Sequence, residues 1–403
     1  MKHTINKKPG SIIELGVELT KDEFQEYWQK ASDQATSQVD LKGFRKGKVP
    51  KELAEKAVDK EKVFEVATQE AVRSSLNNLV EENDWTLVAQ PEIEVTSSVD
   101  GLKYKGTIIT FPEVKLSNYK KIAASKMKEV KSKLADIKVE EDDVKKSLEW
   151  LRNSRAQIIA VSREAKKGDV VKIDYEVNGE KSSDQFILGE GKFLPGFEVN
   201  ILNHKAGDEE SFQLTIPEDY WKEEMRGKQL DFKVNLKEVF ERKLPEINDE
   251  LAKALGNFKD VAELKENIKK GILEEKQVKE KEKAHINIID EIIKSSPIEP
   301  PQVMIDRTLD DLIKESEATW KNSGKSEEEV RKDFEPTAKK RVLSHLVIYK
   351  IGEQENINPT EEDLKQEIQK YNHDKISLDN QKFYDYIYGV IQNRKVFEFF
   401  DNQ

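Results

Sequence analysis

The sequence predicts a multidomain α+β protein: an α+β domain first, then a small β-domain with a short helix, then an elongated all-α C-terminal domain with arms. Three observations carry this. Near both ends of the first 111 residues, apolar side chains alternate with polar ones at a period of two. Between 167 and 240, short strand patterns are punctuated by glycine and proline. Beyond Lys243 the pattern is helical to the last residue, and too charge-rich for one dominant apolar core. A chain of 403 residues can bury two or three separate cores. We draw the boundaries at 1–114, 115–163, 164–243 and 244–403, the second segment being an extended linker and helix that contributes to the C-terminal body.

In the first segment Ile13, Leu15, Val17 and Leu19 alternate with Glu14, Gly16 and Glu18, as in a half-buried strand. Thr20 and Glu23 have capping-box spacing and open a helix with Phe24, Tyr27, Trp28, Ala31 and Ala35 on one face. Helical pattern resumes over about 50–82. Strands are predicted at 86–96 and 102–111, around an Asp100-Gly101 turn. Residues 115–138 offer few apolar anchors and are expected to be extended, with a helix over 139–151. Further on, 170–177 is a strand, Asn178-Gly179 a hairpin turn, 195–202 a short helix, and 211–216 and 229–240 strands. One long helix is predicted over 260–294, roughly 50 Å at 1.5 Å per residue. Eight of the ten residues from Glu274 to Lys283 are charged, so its middle must be largely exposed. After a break at 295–301, one helix uses Ile305, Leu309, Leu312 and Ile313. Another starts at the Ser326–Glu329 capping box and continues past Pro336. A last pair begins after Thr360 and near Leu378.

Composition excludes several classes. With 79 acidic against 68 basic side chains the net charge is −11, which opposes general nucleic-acid binding. Charged residues make up 36% of the chain, mean hydropathy is −0.75, and no apolar run approaches the roughly 18 residues of a membrane span. The first ten residues lack the apolar stretch of a signal peptide. No cysteine is present, and the five histidines (His3, His204, His285, His345, His373) have no metal-ligand spacing. Gly189 and Gly191 are not a dinucleotide fingerprint, since Leu194 stands where a third glycine belongs. A soluble, cytoplasmic protein without cofactor is expected.

Against the acidic background, residues 42–51 hold five basic side chains and no acid. Gly43 and Gly47 bracket Phe44, Arg45 and Lys46, and Pro50 suits the first turn of a following helix. By chemistry alone this is either an ordinary solvated loop or a cationic tip whose exposed ring suits a phosphate-rich partner. Gly43-Phe44-Arg45, Gly47 and Pro50 spell G-F-R-x-G-x-x-P, which resembles the ribosome-docking loop of the trigger factor family. The run 189–198, with 216–220 and 227–232, resembles the FK506-binding-protein (FKBP) type of prolyl isomerase. Residues 244–250 resemble the entry into the family's C-terminal domain. The resemblance implies an ATP-independent chaperone that docks at the ribosome exit through Gly43, Phe44, Arg45, Lys46, Gly47, Lys48 and Pro50. Its implied partners are a ribosomal protein, ribosomal RNA and nascent or unfolded polypeptides. No membrane is implied, and a homodimer off the ribosome is left open.

The same resemblance places an isomerase pocket on Tyr175, Phe186, Phe193, Leu194, Phe197, Tyr220 and Phe232. By residue type alone these are equally the core of a small β-domain. Rotation about a peptide bond faces about 18–20 kcal/mol. The twisted amide has lost charge separation, so a dry aromatic pocket favours it without nucleophile or metal; removing about 4 kcal/mol gives roughly a thousandfold acceleration. One departure matters: 179–185 lacks the family's usual Phe-Asp or Phe-Glu pair. A pocket wall and a substrate-orienting carboxylate are therefore expected to be missing, Asp184 standing in for part of it, and activity is expected to be reduced. A free prolyl isomerase with substrate-recruiting domains, or an assembly scaffold for folded proteins, are the alternatives. Seven aromatics between Phe383 and Phe400 are either helix packing or a client-contact surface.

Overall fold

The computed structural model describes residues 1–39, 41, 49–97, 101–177, 179–220, 225–321, 324–370 and 381–403. It divides into two compact units, 1–132 with 281–403, and 133–280. Of the predicted docking residues, Gly43, Phe44, Arg45, Lys46, Gly47 and Lys48 lie outside the described residues, while Pro50 is the N-cap of α2 (Lys51–Ala57).

In the first unit, β1 (Lys2–Lys8), β2 (Ile12–Leu19), β3 (Glu92–Ser97) and β4 (Leu102–Ile109) form an antiparallel sheet in the order β1-β2-β4-β3. The alternation read in β2 is real: Ile13, Leu15, Val17 and Leu19 are buried. They pack with Phe24 and Ala31 of α1 (Lys21–Gln38) and with Val63, Ala67, Ala71, Leu76 and Leu79 of α3 (Lys60–Glu82). Thr20 and Glu23 form the predicted capping box. The helix expected over 50–82 is instead two, because the Asp59 carboxylate accepts the amides of Glu61 (3.0 Å) and Lys62 (3.4 Å) and starts α3 afresh. The strand expected from 86 begins only at Glu92; Leu87 makes a single bridge to Thr110. β1 gave no signal, since all seven of its residues are exposed and alternate with nothing buried. Gly101 has φ +112°, and a Cβ there would lie 2.2 Å from the Leu19 carbonyl oxygen, so only glycine can follow this turn.

The expected extended linker is a helix, α4 (Tyr119–Asp136). Tyr119, Ala123, Met127 and Val130 fall on one face and are buried, a stripe too sparse to stand out among lysines. The Tyr119 hydroxyl donates to Glu355, which also pairs with Lys120 at 2.9 Å. Burial and that carboxylate push the Tyr119 phenol well above its ordinary value.

The second unit holds α5 (Glu141–Ser154), α6 (Asp249–Leu255) and a five-stranded sheet. Its strands are β5 (Gln157–Ala160), β6 (Val170–Val177), β7 (Glu180–Ile187), β8 (Glu209–Thr215) and β9 (Gln229–Lys243). The order is β5-β9-β6-β7, with β8 also on β9. β9 is long enough to bind β8 through its first half and β5 through its end, which curls the sheet over its core. The helix expected over 195–202 contracts to a 3-10 turn, Glu198–Asn200.

α7 (Val261–Ser295) is the predicted long helix, and Leu264 near its start packs with Leu148 and Ala252. α8 (Gln302–Glu315), the short α9 (Glu317–Trp320) and α10 (Glu327–Gln354) follow. Ile305, Leu309, Leu312 and Ile313 meet Val330, Ala338, Val342 and Leu346, and Pro336 sits inside α10 without ending it. α11 (Glu361–Ile368) and α12 (Gln381–Asp401) share Leu364, Ile387 and Ile391 and are joined by Asp363–Lys395 and Glu367–Arg394 pairs. In α12, Phe400 and Ile391 are buried while Tyr384 and Tyr386 are exposed.

Candidate functional site

Four parts of the second unit each deliver aromatic side chains to one cluster. β6 contributes Tyr175, the end of β7 Phe186, and the irregular segment after it Phe193, Leu194 and Phe197. β9 contributes Phe232. Phe197 is the centre: it is fully buried, with Tyr175 (6.2 Å) and Phe232 (5.2 Å) edge-on and Phe193 stacked at 4.2 Å and 12°. Phe193 also meets Phe186 at 4.8 Å and Tyr175 at 5.6 Å. Six of the seven residues expected to form a pocket are thus brought together. Tyr220 stands outside this packed cluster, in the turn after β8, its carbonyl accepting from Arg226 Nε at 2.8 Å.

Sequence reasoning missed Phe212. Its ring stacks on Phe232 at 5.7 Å and meets Phe197 edge-on at 5.4 Å, because Phe212 and Phe232 are register partners in β8 and β9. The alternation of Phe212, Leu214 and Ile216 was the available signal.

Two carboxylates fix the backbone around this basin. Glu198 is buried and accepts the amides of Gly189 (2.6 Å), Gly191 (3.2 Å) and Lys192 (2.7 Å). Gly189 and Gly191 have φ +96° and +74°, which turns successive N–H groups toward one acceptor. Asp169, just before β6, is 4% exposed and takes a two-pronged bond from Arg163 (2.6 and 2.9 Å) and the Lys166 amide (2.9 Å). Burial pushes its carboxyl up, but Arg163 and that amide outweigh burial and hold it below the ordinary range.

The stretch 180–185 is fully engaged in the β6–β7 ladder, in register from Val170↔Ile187 to Val177↔Glu180. Asp184 bonds Lys192 Nζ at 2.7 Å, and chiefly this holds its carboxyl below the usual value. Chemically, the cluster is a packed group of aromatic and aliphatic side chains, with Asp169, Asp184 and Glu198 in the segments around it. Among the described residues no group of three or more acidic or histidine side chains could hold a metal ion, and no helix is long and apolar enough to cross a membrane.

Residues 1–151 match the bacterial trigger factor protein family, 161–237 the FKBP-type peptidyl-prolyl cis-trans isomerase family, and 260–398 the trigger factor C-terminus. Trigger factor of Carboxydothermus hydrogenoformans is 32% identical over 391 residues, covering 92% of this chain and 89% of the relative. That of Staphylococcus carnosus is 31% identical over 393 residues, covering 92% and 87%. A solved structure of the trigger factor chaperone, described with promiscuous substrate recognition in folding and assembly, matches over 100% of both chains at a TM-score of 0.53 and 21% identity, which speaks for the fold.

Proposed function

The chain belongs to the trigger factor family, an ATP-independent chaperone with a ribosome-binding N-terminal domain and an FKBP-type isomerase domain, and from that premise we propose how its residues divide the work. The segment Gly43, Phe44, Arg45, Lys46, Gly47, Lys48 and Pro50 anchors the protein to a ribosomal protein and ribosomal RNA beside the exit. Its support is local charge: five basic residues and no acid over 42–51, in a chain of net charge −11. A local basic run in an otherwise acidic chain confines favourable contact with a phosphate-rich partner to that run. The four segments 1–114, 115–163, 164–243 and 244–403 then serve docking, connection, isomerisation and chain shelter in the cytoplasm.

For the isomerase part, one observation carries the reading: Phe197 lies buried at the centre of rings drawn from β6, β9 and the 189–198 segment. Tyr175, Phe186, Phe193, Leu194, Phe197, Tyr220 and Phe232 are its working residues. The unbroken β6–β7 ladder, with no aromatic–acid pair, supports activity below that of a free FKBP-type enzyme.

Cosedimentation with ribosomes tests the docking assignment. Replacing Arg45 and Lys46 by Ala should weaken it, and added salt should mimic the substitution; unchanged cosedimentation removes the assignment. A protease-free proline-peptide assay on the full chain tests the second half, and turnover at the efficiency of a free FKBP-type isomerase refutes reduced activity. Homodimerisation off the ribosome, left open by the resemblance, is read by sedimentation equilibrium against the 46.5 kDa monomer.

A further inference from the structure

Among the described residues, Phe197 has ring neighbours edge-on at Tyr175, Phe212 and Phe232, and its one stacked neighbour is Phe193, at 4.2 Å and 12°. The edges of Phe193 reach Tyr175 and Phe186, so the ring touches three other predicted wall residues at once. Those three walls are set by strands or by the buried turn. Phe193 is only partly buried and comes from the irregular segment between β7 and the 3-10 turn. Gly189, Gly191 and Gly196, at φ +96°, +74° and +91°, flank it on both sides.

The Glu198 carboxylate takes three amides of that segment, at positions 189, 191 and 192, and Glu198 adjoins Phe197 in the same turn. Floor and latch are therefore consecutive residues. A ring on a glycine-flanked segment, stacked on Phe197 and tied through three amides to Glu198 and through Lys192 to Asp184, has the construction of a removable stopper.

We propose that Phe193 is an internal plug of the isomerase basin and that Glu198 is the positioning residue that latches it. The inference rests on the isomerase reading given above. A proline ring takes the Phe197 face only after the Phe193 ring leaves it. Apparent substrate affinity is then reduced by the fraction of molecules that are open: at one open molecule in about ten, KM is raised about tenfold.

The experiment uses the full chain and a proline-containing tetrapeptide, with isomerisation followed by NMR exchange and binding by NMR titration. Phe193→Ala should lower KM about tenfold. Phe193→Leu keeps most of the apolar volume, guards against a folding failure, and should give an intermediate KM. Glu198→Gln should speed amide exchange at Gly189, Gly191 and Lys192 and lower KM as well, a split that merely structural damage would not give. An unchanged or raised KM in both Phe193 variants overturns the proposal, since the ring is then inert or a wall that substrate needs. If the native chain shows neither binding nor turnover while Phe193→Ala binds peptide, the plug stands and the isomerase reading of the native chain falls. If native chain and both Phe193 variants bind alike, the plug falls and that reading stands; if none binds, the plug is overturned too.

Discussion

Replacing Phe197 by Ala removes the side chain on which the second unit's sheet closes. Its ring is 0% exposed and meets Phe193, Phe232, Phe212 and Tyr175 at 4.2, 5.2, 5.4 and 6.2 Å. Truncating a buried Phe costs about 3–5 kcal/mol, a range that already contains the lost ring contacts. Phe193 is partly buried and can settle into the space, so the lower part of the range, about 3–4 kcal/mol, applies here. At about 1.4 kcal/mol per decade, that is between two and three decades in the opening equilibrium. A chain of two units has no single unfolding transition, so the assay should be local: hydrogen exchange by mass spectrometry on the intact protein. Peptides from β6 and β9 should lose roughly 100- to 1,000-fold in protection while β2 and β4 keep theirs. Less than tenfold loss in β6 and β9 would refute the view of Phe197 as the centre of the packing. Equal loss in β2 and β4 would refute the independence of the two cores.

Further outcomes follow from the polar groups. Asp169→Asn should destabilise the same sheet by about 2–3 kcal/mol, below the value for a fully buried pair because Arg163 is 32% exposed. The folded Asp169 carboxyl is held below its ordinary value, so its stabilisation is complete at neutral pH and disappears as pH falls below about 4 through the depressed folded value. Hydrogen exchange of β6 across that acid range should show the loss in the native chain and not in the variant. In the first unit the Ser75 hydroxyl donates to the Ala71 carbonyl (2.6 Å), leaving its oxygen for the buried Tyr104 hydroxyl at 2.8 Å. Ser75→Ala should cost about 1–2 kcal/mol by stranding that hydroxyl, and adding Tyr104→Phe should restore most of it, as read from β4 protection in a double-mutant cycle. Asp59→Ala should cost about 1 kcal/mol and fray the first turn of α3 alone, seen as faster exchange at Glu61 and Lys62.

What was legible in the sequence was whatever alternates or caps. β2 announced itself through Ile13, Leu15, Val17 and Leu19, and α1 and α10 through their capping boxes at Thr20 and Ser326. β1 and β5 were silent because every residue in them is exposed, so burial writes no pattern there. β7 was hidden by polarity: Glu180–Ile187 has Phe186 as its one buried residue, and its strand character comes from pairing with β6 rather than from its own side chains. α4 was hidden by lysines around a stripe of four buried residues. At the candidate site, resemblance supplied seven positions and geometry drew six of them together. Phe212 and the three-amide role of Glu198 needed the fold, since register and loop closure bring distant groups together in ways that spacing does not show.

The way the curled sheet joins its neighbours has a consequence for how this chain can be edited. Its first strand, β5, and its last, β9, run antiparallel side by side, with Gln157 opposite Lys243. The flanks are stitched across the same point: Arg152 Nε donates to the Pro245 carbonyl at 2.8 Å, and Arg242 Nη2 to Asn153 Oδ1 at 2.7 Å. Entry and exit are thus about one strand spacing apart, roughly 5 Å. Such a doorway admits a whole cassette without pulling on what lies outside it. Cutting out the sheet and bridging 156 to 244 with a tight turn, or exchanging it for another fold whose ends meet as closely, disturbs α5 and α6 no more than a loop insertion would.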